Sequence, residues 1–142
     1  MKVFLDTNII LDLLLEREGY EDSAELFGLQ DEGKLKLYVS ILTMVNVAYV
    51  YKKTVGAHMA NVNIKYLSAL VNVLPMDSSQ MQKALLMSGP DFEDLLQATC
   101  AAEAGCDCIV TRNIKDYRIR KGLTSGLSLP TVLTPSALKS TL

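Results

Sequence analysis

Four aspartates in three separate stretches of this 142-residue sequence could do chemistry together. Asp6 interrupts the apolar run FLDTNII, Asp91 and Asp94 stand three residues apart in DFED, and Asp116 lies in the basic stretch RNIKDY. An ionised carboxylate inside an apolar segment is costly unless it is solvated, paired or bound to a cation. Asp6 in particular therefore requires an explanation.

Carboxylates that converge on one cleft without a histidine or thiol partner form an all-oxygen site. Such a site suits Mg²⁺ or Mn²⁺ and suits zinc poorly. Neighbouring negative charges repel one another, and a bound cation neutralises them. The reaction that such sites support is phosphodiester hydrolysis, because the metal orients water, lowers its pKa and stabilises charge on phosphate oxygens.

Histidine and cysteine chemistry is disfavoured by the composition. The only histidine, His58, lies in GAHMA with no triad partner beside it. The three cysteines, Cys100, Cys106 and Cys108, lack the paired spacing of a zinc site. We therefore expect buried, reduced thiols.

Helix capping is the competing explanation for three of the acids. DFED has the spacing of a capping box, in which Asp91 accepts from the first-turn amides and Asp94 lies near the positive helix end, each contributing about 1 kcal/mol. Asp6 could cap the helix that follows it, but Thr7 and Asn8 are available for that position. Since either residue can cap the helix, the Asp6 carboxylate is not needed for that purpose and is left for another role.

The elements that must position these residues alternate between strands and helices. Short apolar runs rich in β-formers predict strands at KVFL, LKLYVS, NVLPM, CIVT and LPTVLT. Helical spacing and capping signals predict helices over IILDLLLERE, YEDSAELFGLQDEGK, ILTMVNVAYVYKKTVG, AHMANVNIKYLSALV, DSSQMQKALLMSG, the segment from Asp91 to Gly105, and TPSAL, with RNIKDY as a loop. This order predicts an α/β fold in which helices cover both faces of a mainly parallel sheet.

Polar residues follow the predicted strands at the points where they end. Asp6 comes directly after the first strand, Ser40 closes the second, and Thr111 follows the fourth. Sites in open parallel sheets lie beyond the carboxyl ends of the strands. The helix that carries Asp91 and Asp94 begins at the same edge, so we expect all these residues to share one cleft.

The length of the sequence and its apolar stretches limit the classes of protein to which it can belong. The chain has the size of one ordinary domain, and we predict a single domain over residues 1–142. No apolar stretch approaches the roughly 20 residues that span a bilayer, and no signal peptide is evident. We therefore expect a soluble, cytoplasmic protein without a membrane partner.

A local basic segment stands out against a formal net charge of −2. RNIKDYRIRK, from Arg112 to Lys121, carries five basic residues and one acid. Taken alone, it is typical of a solvated surface loop, with Asp116 solvated as well. Next to clustered acids, Arg112, Lys115 and Arg118 could instead hold RNA phosphates.

The whole chain resembles a PIN domain in the order and spacing of its motifs. The resemblance rests on FLDTNIILDLL, VSILTMVNVAYVYKK, DFEDLLQATCAAEAGCDCIVTRNIKDY and LPTVLTPSAL. It implies a three-layer α/β/α sandwich and an endoribonuclease that needs Mg²⁺ or Mn²⁺ to cut single-stranded RNA. It also implies the toxin of a VapBC-type toxin–antitoxin pair, with an antitoxin protein as partner, and it leaves a homodimer open.

The resemblance also implies roles for individual residues. Asp6 matches the first acid of the family and Asp94 the third, with Asp91 an extra acid nearby. Either Asn113 or Asp116 matches the fourth acid. Asp6, Asp91, Asp94 and Asp116 are therefore the candidate catalytic and metal-binding residues.

Residues beside the cleft follow from the same comparison, and one of them departs from the pattern. Ser40 and Thr111 stand where such domains place small hydroxyl residues, and Asn8 adjoins the first acid. The family's second acid is usually a glutamate about six residues after the serine, where this chain has Asn46. Asparagine supplies a neutral carbonyl, so the site has one negative charge fewer.

Two other functions stay open on the sequence. A PIN-like module that binds RNA or a partner, with weak or no catalysis, is the alternative that Asn46 favours. A haloacid-dehalogenase-like phosphatase would use Asp6 as nucleophile. That class needs a second acid two residues further on, where this chain has Asn8.

Overall fold

Five parallel strands form the central sheet of the protein. The strands are β1 (Lys2–Leu5), β2 (Lys36–Ser40), β3 (Asn72–Leu74), β4 (Cys108–Val110) and β5 (Thr131–Leu133), in the spatial order β3-β2-β1-β4-β5. All four neighbouring pairs are parallel. The structure is a computed structural model that describes residues 1–89, 91–119 and 127–142. The predicted α/β fold with a parallel sheet is confirmed.

Helices cover both faces of this sheet. They are α1 (Thr7–Leu14), α2 (Tyr20–Asp31), α3 (Ile41–Leu70), α4 (Ser78–Leu85), α5 (Phe92–Glu103) and α6 (Pro135–Lys139), and a 3₁₀ turn spans Ile114–Tyr117. Side chains alternate across a strand, so each strand serves two cores. Val3 and Leu5 of β1 face the core under α1, α2, α3 and α6, whereas Phe4 packs against α5. A buried strand therefore needs apolar residues on both faces, which is why KVFL is uninterrupted.

The helix boundaries differ from the predictions at two places. α1 begins at Thr7 and ends at Leu14, earlier at both ends than IILDLLLERE, because the chain leaves the helix at Glu16, whose φ is 49°. RNIKDY is not wholly a loop, since it contains the 3₁₀ turn. The capping signals were more reliable: Asp77 with Gln80 forms a capping box on α4. The two basic residues at the end of RNIKDYRIRK, residues 120 and 121, lie outside the described residues.

α3 joins the two helices that were predicted before and after Gly56. At Gly56 the φ of 82° and the ψ of 163° are not helical, so the helix is interrupted there. A residue with a Cβ reaches this backbone region only with strain. The glycine therefore allows α3 to change direction.

The described residues contain no helix with the length and apolar character needed to cross a bilayer. All three cysteines are buried and free of disulfide bonds. Burial raises the pKa of the Cys100 thiol to about 12 and those of Cys106 and Cys108 to about 11. The expectation of buried, reduced thiols is confirmed.

Replacement of Gly56 should test the importance of its conformation. We expect Gly56→Ala to lower the free energy of unfolding by roughly 1–3 kcal/mol, because alanine is strained at this φ and ψ. Gly28→Ala is the matched control. It lies within α2, where an added Cβ meets nothing within 4 Å, so it should raise stability by about 0.5–1 kcal/mol. Urea denaturation measures the free energy of unfolding of both variants. Equal changes in the two would contradict the view that the backbone conformation at position 56 requires glycine.

Candidate functional site

Asp6 lies where β1 meets α1, and both of its carboxylate oxygens are held. The backbone N–H of Thr7 donates to Oδ1 at 2.8 Å, and the hydroxyl of Thr111 donates to Oδ2 at 2.9 Å. Thr111 follows β4, the neighbour of β1, at the position where the strand order changes direction. Asp6 is also the N-cap of α1, so the expectation that Thr7 or Asn8 caps this helix in its place is wrong. The helix starts directly after the strand, which leaves only Asp6 at the junction.

A cleft of about 340 Å³ opens above Asp6, and we call it the acidic cleft. Five acidic residues and six others line it: Asp6, Asp91, Glu93, Asp94 and Asp116, with Thr7, Asn8, Leu11, Asn46, Tyr49 and Val50. All four aspartates identified in the sequence thus reach one place, although they come from three separate stretches. The parallel topology brings them together, because β1, the start of α5 and the turn after β4 share one edge of the sheet.

The first turn of α5 contributes three of these acids. Asp91 is the N-cap, and its Oδ1 accepts from the backbone N–H groups of Glu93 at 2.7 Å and Asp94 at 3.4 Å. The capping interpretation of Asp91 is therefore confirmed, yet Asp91 still lines the cleft. The positive end of the α5 dipole partly offsets the gathered negative charge.

The charges in the acidic cleft act on one another. Burial, followed by the negative charges of Asp6, Asp91, Asp116 and Glu93, raises the pKa of Asp94 to about 7. Burial also raises the pKa of Asp6, although the hydrogen bond from Thr111 opposes the shift. The pKa of Glu93 is raised by burial and by Asp91 and Asp6. The cleft therefore carries more negative charge than its surroundings stabilise.

Glu93 was not among the residues identified from the sequence. Its Oε1 accepts a hydrogen bond from Nδ2 of Asn46 at 2.8 Å, which links α5 to α3 across the acidic cleft. Its position between Asp91 and Asp94 in the first turn of a helix was the available signal. The capping-box pattern predicts functions for the two aspartates but none for the residue between them.

A buried hydrogen-bond network supports the cleft from below. Ser40 donates to Oε1 of Gln97 at 2.6 Å, Gln97 donates to Oγ1 of Thr43 at 2.8 Å, and Thr43 shares a hydrogen bond with Thr7 at 3.1 Å. Ser40 and Thr111 were expected beside the cleft, but both are fully buried and neither lines it. Ser40 thus joins α3 to α5, and Thr111 orients Asp6. Gln97 and Thr43 carry no sequence signal beyond their polarity in apolar helices.

Asp116, rather than Asn113, faces the acidic cleft. Asp116 lies in the 3₁₀ turn and lines the cleft, whereas Asn113 precedes the turn and does not. Asn113 donates through Nδ2 to Oδ1 of Asp116 at 3.1 Å, and its backbone N–H donates to Thr111 Oγ1 at 3.2 Å. Asn113 therefore positions the carboxylate beside it.

The basic residues after β4 separate into two groups. The Arg112 guanidinium donates to Oδ1 of Asp12 at 3.0 Å, in a second crevice formed by α1, α2 and the start of α6. Asp12 is only 3% exposed, so this ion pair compensates a buried charge. Lys115 and Arg118 are exposed beside the turn that carries Asp116. Arg112 therefore belongs to the second crevice, whereas Lys115 and Arg118 adjoin the turn that carries Asp116.

The chemistry of the donors in the acidic cleft fits a hard divalent cation. Carboxylate and amide oxygens are the ligands that Mg²⁺ and Mn²⁺ take. The hydroxyl of Tyr117 is buried beside Asp6, and burial together with the negative charges of Asp6 and Asp94 raises its pKa. Within residues 1–89, 91–119 and 127–142, no group of three or more acidic, histidine or cysteine side chains is arranged closely enough to hold a metal ion. Metal binding therefore stays a prediction.

Comparison with protein families and curated proteins gives two matches over most of the chain. A family model described as PIN domain matches residues 2–115. The protein named Ribonuclease VapC1, from Aquifex aeolicus (strain VF5), is 30% identical over 122 residues, which is 82% of this chain and 84% of the relative.

Solved structures with the same fold include toxin–antitoxin complexes. VapBC2 from Rickettsia felis, bound to a DNA fragment from its promoter, superposes with a TM-score of 0.66 at 15% identity and covers 94% of this chain and 98% of its own. Mycobacterium tuberculosis VapC20, described as a sarcin-ricin loop cleaving toxin, has a TM-score of 0.64 at 13% identity and covers 89% and 96%. At these identities the likeness establishes the fold.

The stability of the metal-free protein should depend on pH through Asp94. The pKa of Asp94 is about 7 in the folded protein against an ordinary 3.8, so the folded state binds this proton more tightly. We expect stability in EDTA to fall as the pH rises from about 4 through 7. Asp94→Asn should make this fall shallower and should be at least as stable as the wild type at pH 8.

Thermal denaturation in EDTA at pH 5 and pH 8 measures this dependence. A shallow slope should remain in Asp94→Asn, because the pKa values of Asp6 and Glu93 are also raised. If Asp94→Asn is less stable than the wild type by the same amount at both pH values, the electrostatic explanation is contradicted. Asp94 would then serve to stabilise the N-terminus of α5.

Proposed function

The chain belongs to the PIN domain family, and from this premise we propose that it is a metal-dependent endoribonuclease that cuts single-stranded RNA. The observation that carries the proposal is the acidic cleft, where burial and then the repulsion of neighbouring carboxylates raise the pKa of Asp94 to about 7. The relative named Ribonuclease VapC1 supports the same activity. Carboxylates held together at this electrostatic cost are typical of a site that binds a cation.

Asp6, Asp91, Asp94 and Asp116 are the proposed ligands of Mg²⁺ or Mn²⁺. When bound, the cation would activate the attacking water and neutralise charge on the phosphate. Thr111 and the Thr7 amide fix Asp6, so its carboxylate need not reorganise when a substrate arrives.

The residues around the cleft would orient the RNA. The pKa of Asp94 is about 7 in the metal-free protein, so binding of the cation would release the proton of this carboxyl group. Lys115 and Arg118 would hold phosphates beside Asp116, which explains why basic residues adjoin acidic ones. On the opposite side of the cleft, the exposed ring of Tyr49 is accompanied by the ammonium groups of Lys52 and Lys53 at 5.3 and 4.3 Å.

An antitoxin protein is the proposed partner. Solved structures similar to this chain include complexes of a toxin with its antitoxin. By analogy, this chain would be the toxin of such a pair and would act in the cytoplasm. A homodimer stays a prediction. If Asn46 has removed the activity, the alternative is a PIN-fold module that binds RNA or a partner protein.

Cleavage of RNA should depend on metal and on Asp94. We expect the wild type to cut generic single-stranded RNA with Mg²⁺ or Mn²⁺ and to stop in EDTA, and Asp94→Asn to lower kcat/KM by roughly 100-fold or more. Asp107→Asn is the matched control, because Asp107 precedes β4 at the opposite edge of the sheet and binds the backbone of Lys2. Cleavage indifferent to EDTA and to Asp94→Asn would contradict the proposal. RNA binding without cleavage would favour the alternative.

Substitution of the basic residues should separate RNA contact from stability. We expect Lys115→Gln and Arg118→Gln each to weaken RNA binding and to reduce the salt dependence of log K by about 0.7. Arg112→Gln should instead lower the free energy of unfolding by about 1–2 kcal/mol, because it removes the closer partner of buried Asp12. Fluorescence anisotropy at several salt concentrations and urea denaturation measure the two effects. Identical behaviour of the three variants would contradict the division.

A further inference from the structure

The hydrogen bond between Asn46 and Glu93 joins the two helices on either side of the acidic cleft. Nδ2 of Asn46, on α3, donates to Oε1 of Glu93, on α5, at 2.8 Å. Both residues line the cleft together with Asp6 and Asp94. The amide therefore contacts a carboxylate that already faces the proposed cation.

Glu93 has more free coordinating capacity than Asp91 and as much as Asp116. Oδ1 of Asp91 accepts two backbone N–H groups, and Oδ1 of Asp116 accepts from Asn113. A carboxylate has about four lone-pair positions, and the hydrogen bond from Asn46 uses one of those on Glu93. The Oε2 atom stays available to a ligand in the cleft.

An amide donor behind a ligating carboxylate is a common arrangement in metal sites. Such a donor fixes the orientation of the ligand, and its loss typically weakens metal binding 10- to 100-fold. Asn46 is suited to this task because its Nδ2 donates, whereas a glutamate at the same position could only accept when ionised. Thus α5 carries the carboxylate, and α3 carries the amide that orients it.

We propose that Glu93 is a direct ligand of the divalent cation and that Asn46 is the positioning residue that orients its carboxylate. Glu93, which lies on α5 across the cleft from Asn46, then supplies the negative charge that Asn46 does not carry. This inference rests on the proposed function, since it names a further ligand of the same site. It predicts that Asn46 does not make the site deficient.

Mn²⁺ binding without RNA tests this inference, measured by titration calorimetry and by the electron paramagnetic resonance signal of free Mn²⁺. We expect Glu93→Gln, which preserves the size of the side chain, to weaken Mn²⁺ binding by more than about 100-fold, beyond the effect typical of a lost orienting group. Asn46→Ala should weaken it less, since the carboxylate stays. The double exchange Asn46→Glu with Glu93→Asn should bind nearly as tightly as the wild type, because the charge and the hydrogen bond only change places.

Glu103→Gln is the matched control for charge. Glu103 lies on α5 ten residues after Glu93, about 15 Å along the helix axis, and it pairs with Lys83. This separation exceeds the screening length of about 8 Å at physiological ionic strength, so Mn²⁺ affinity should change little. Circular dichroism and thermal denaturation in EDTA confirm that each variant is folded.

The outcomes distinguish this inference from the proposed function. If Asp94→Asn weakens Mn²⁺ binding but Glu93→Gln behaves like Glu103→Gln, the inference is overturned and the proposed function stands. Failure of the double exchange to recover affinity, with the fold intact, also overturns the assignment of Asn46. A wild-type protein that binds no Mn²⁺ overturns both.

Discussion

The structure depends on a buried carboxylate held at the junction of a strand and a helix. Asp6 is 6% exposed, and a charge in that position is tolerated only because the Thr111 hydroxyl and the Thr7 amide donate to its two oxygens. These donors come from the ends of neighbouring parallel strands. The order of the strands, rather than any local motif, therefore decides where the charge can be accommodated.

The gathering of further acids around Asp6 follows from the same topology. α5 returns to the carboxyl edge of the sheet before β4, and its first turn places Asp91, Glu93 and Asp94 above Asp6. The repulsion that results is a cost to the fold. The hydrogen-bond network beneath it, which joins Ser40, Gln97, Thr43 and Thr7, holds α1, α3 and α5 together. A protein that keeps such strain at one site does so for function more often than for stability.

Buried aspartates occur in two separate clefts of this protein and serve a different purpose in each. The side chain of Asp12 is also buried and burial raises its pKa, but the paired guanidinium groups of Arg112 and Arg17 oppose this shift from within the protein. The cleft above Asp6 has no equivalent cation among the side chains that line it. This contrast, more than the number of acids, marks the cleft as a place for an external cation.

Local pattern by itself determined the order of strands and helices, the Asp91 cap, and the convergence of Asp6 and Asp94 at one edge of a parallel sheet. These features depend on spacing along the chain and on the general rule for parallel sheets. Tertiary structure alone decided that Glu93 meets Asn46, 47 residues away, and that Arg112 meets Asp12, 100 residues away. It also placed Thr111 beneath the cleft and made Asp6 the cap of α1. The reason is physical: such contacts depend on how helices pack across the sheet, and side chains that are distant along the chain leave no periodic signal of the partner they will meet.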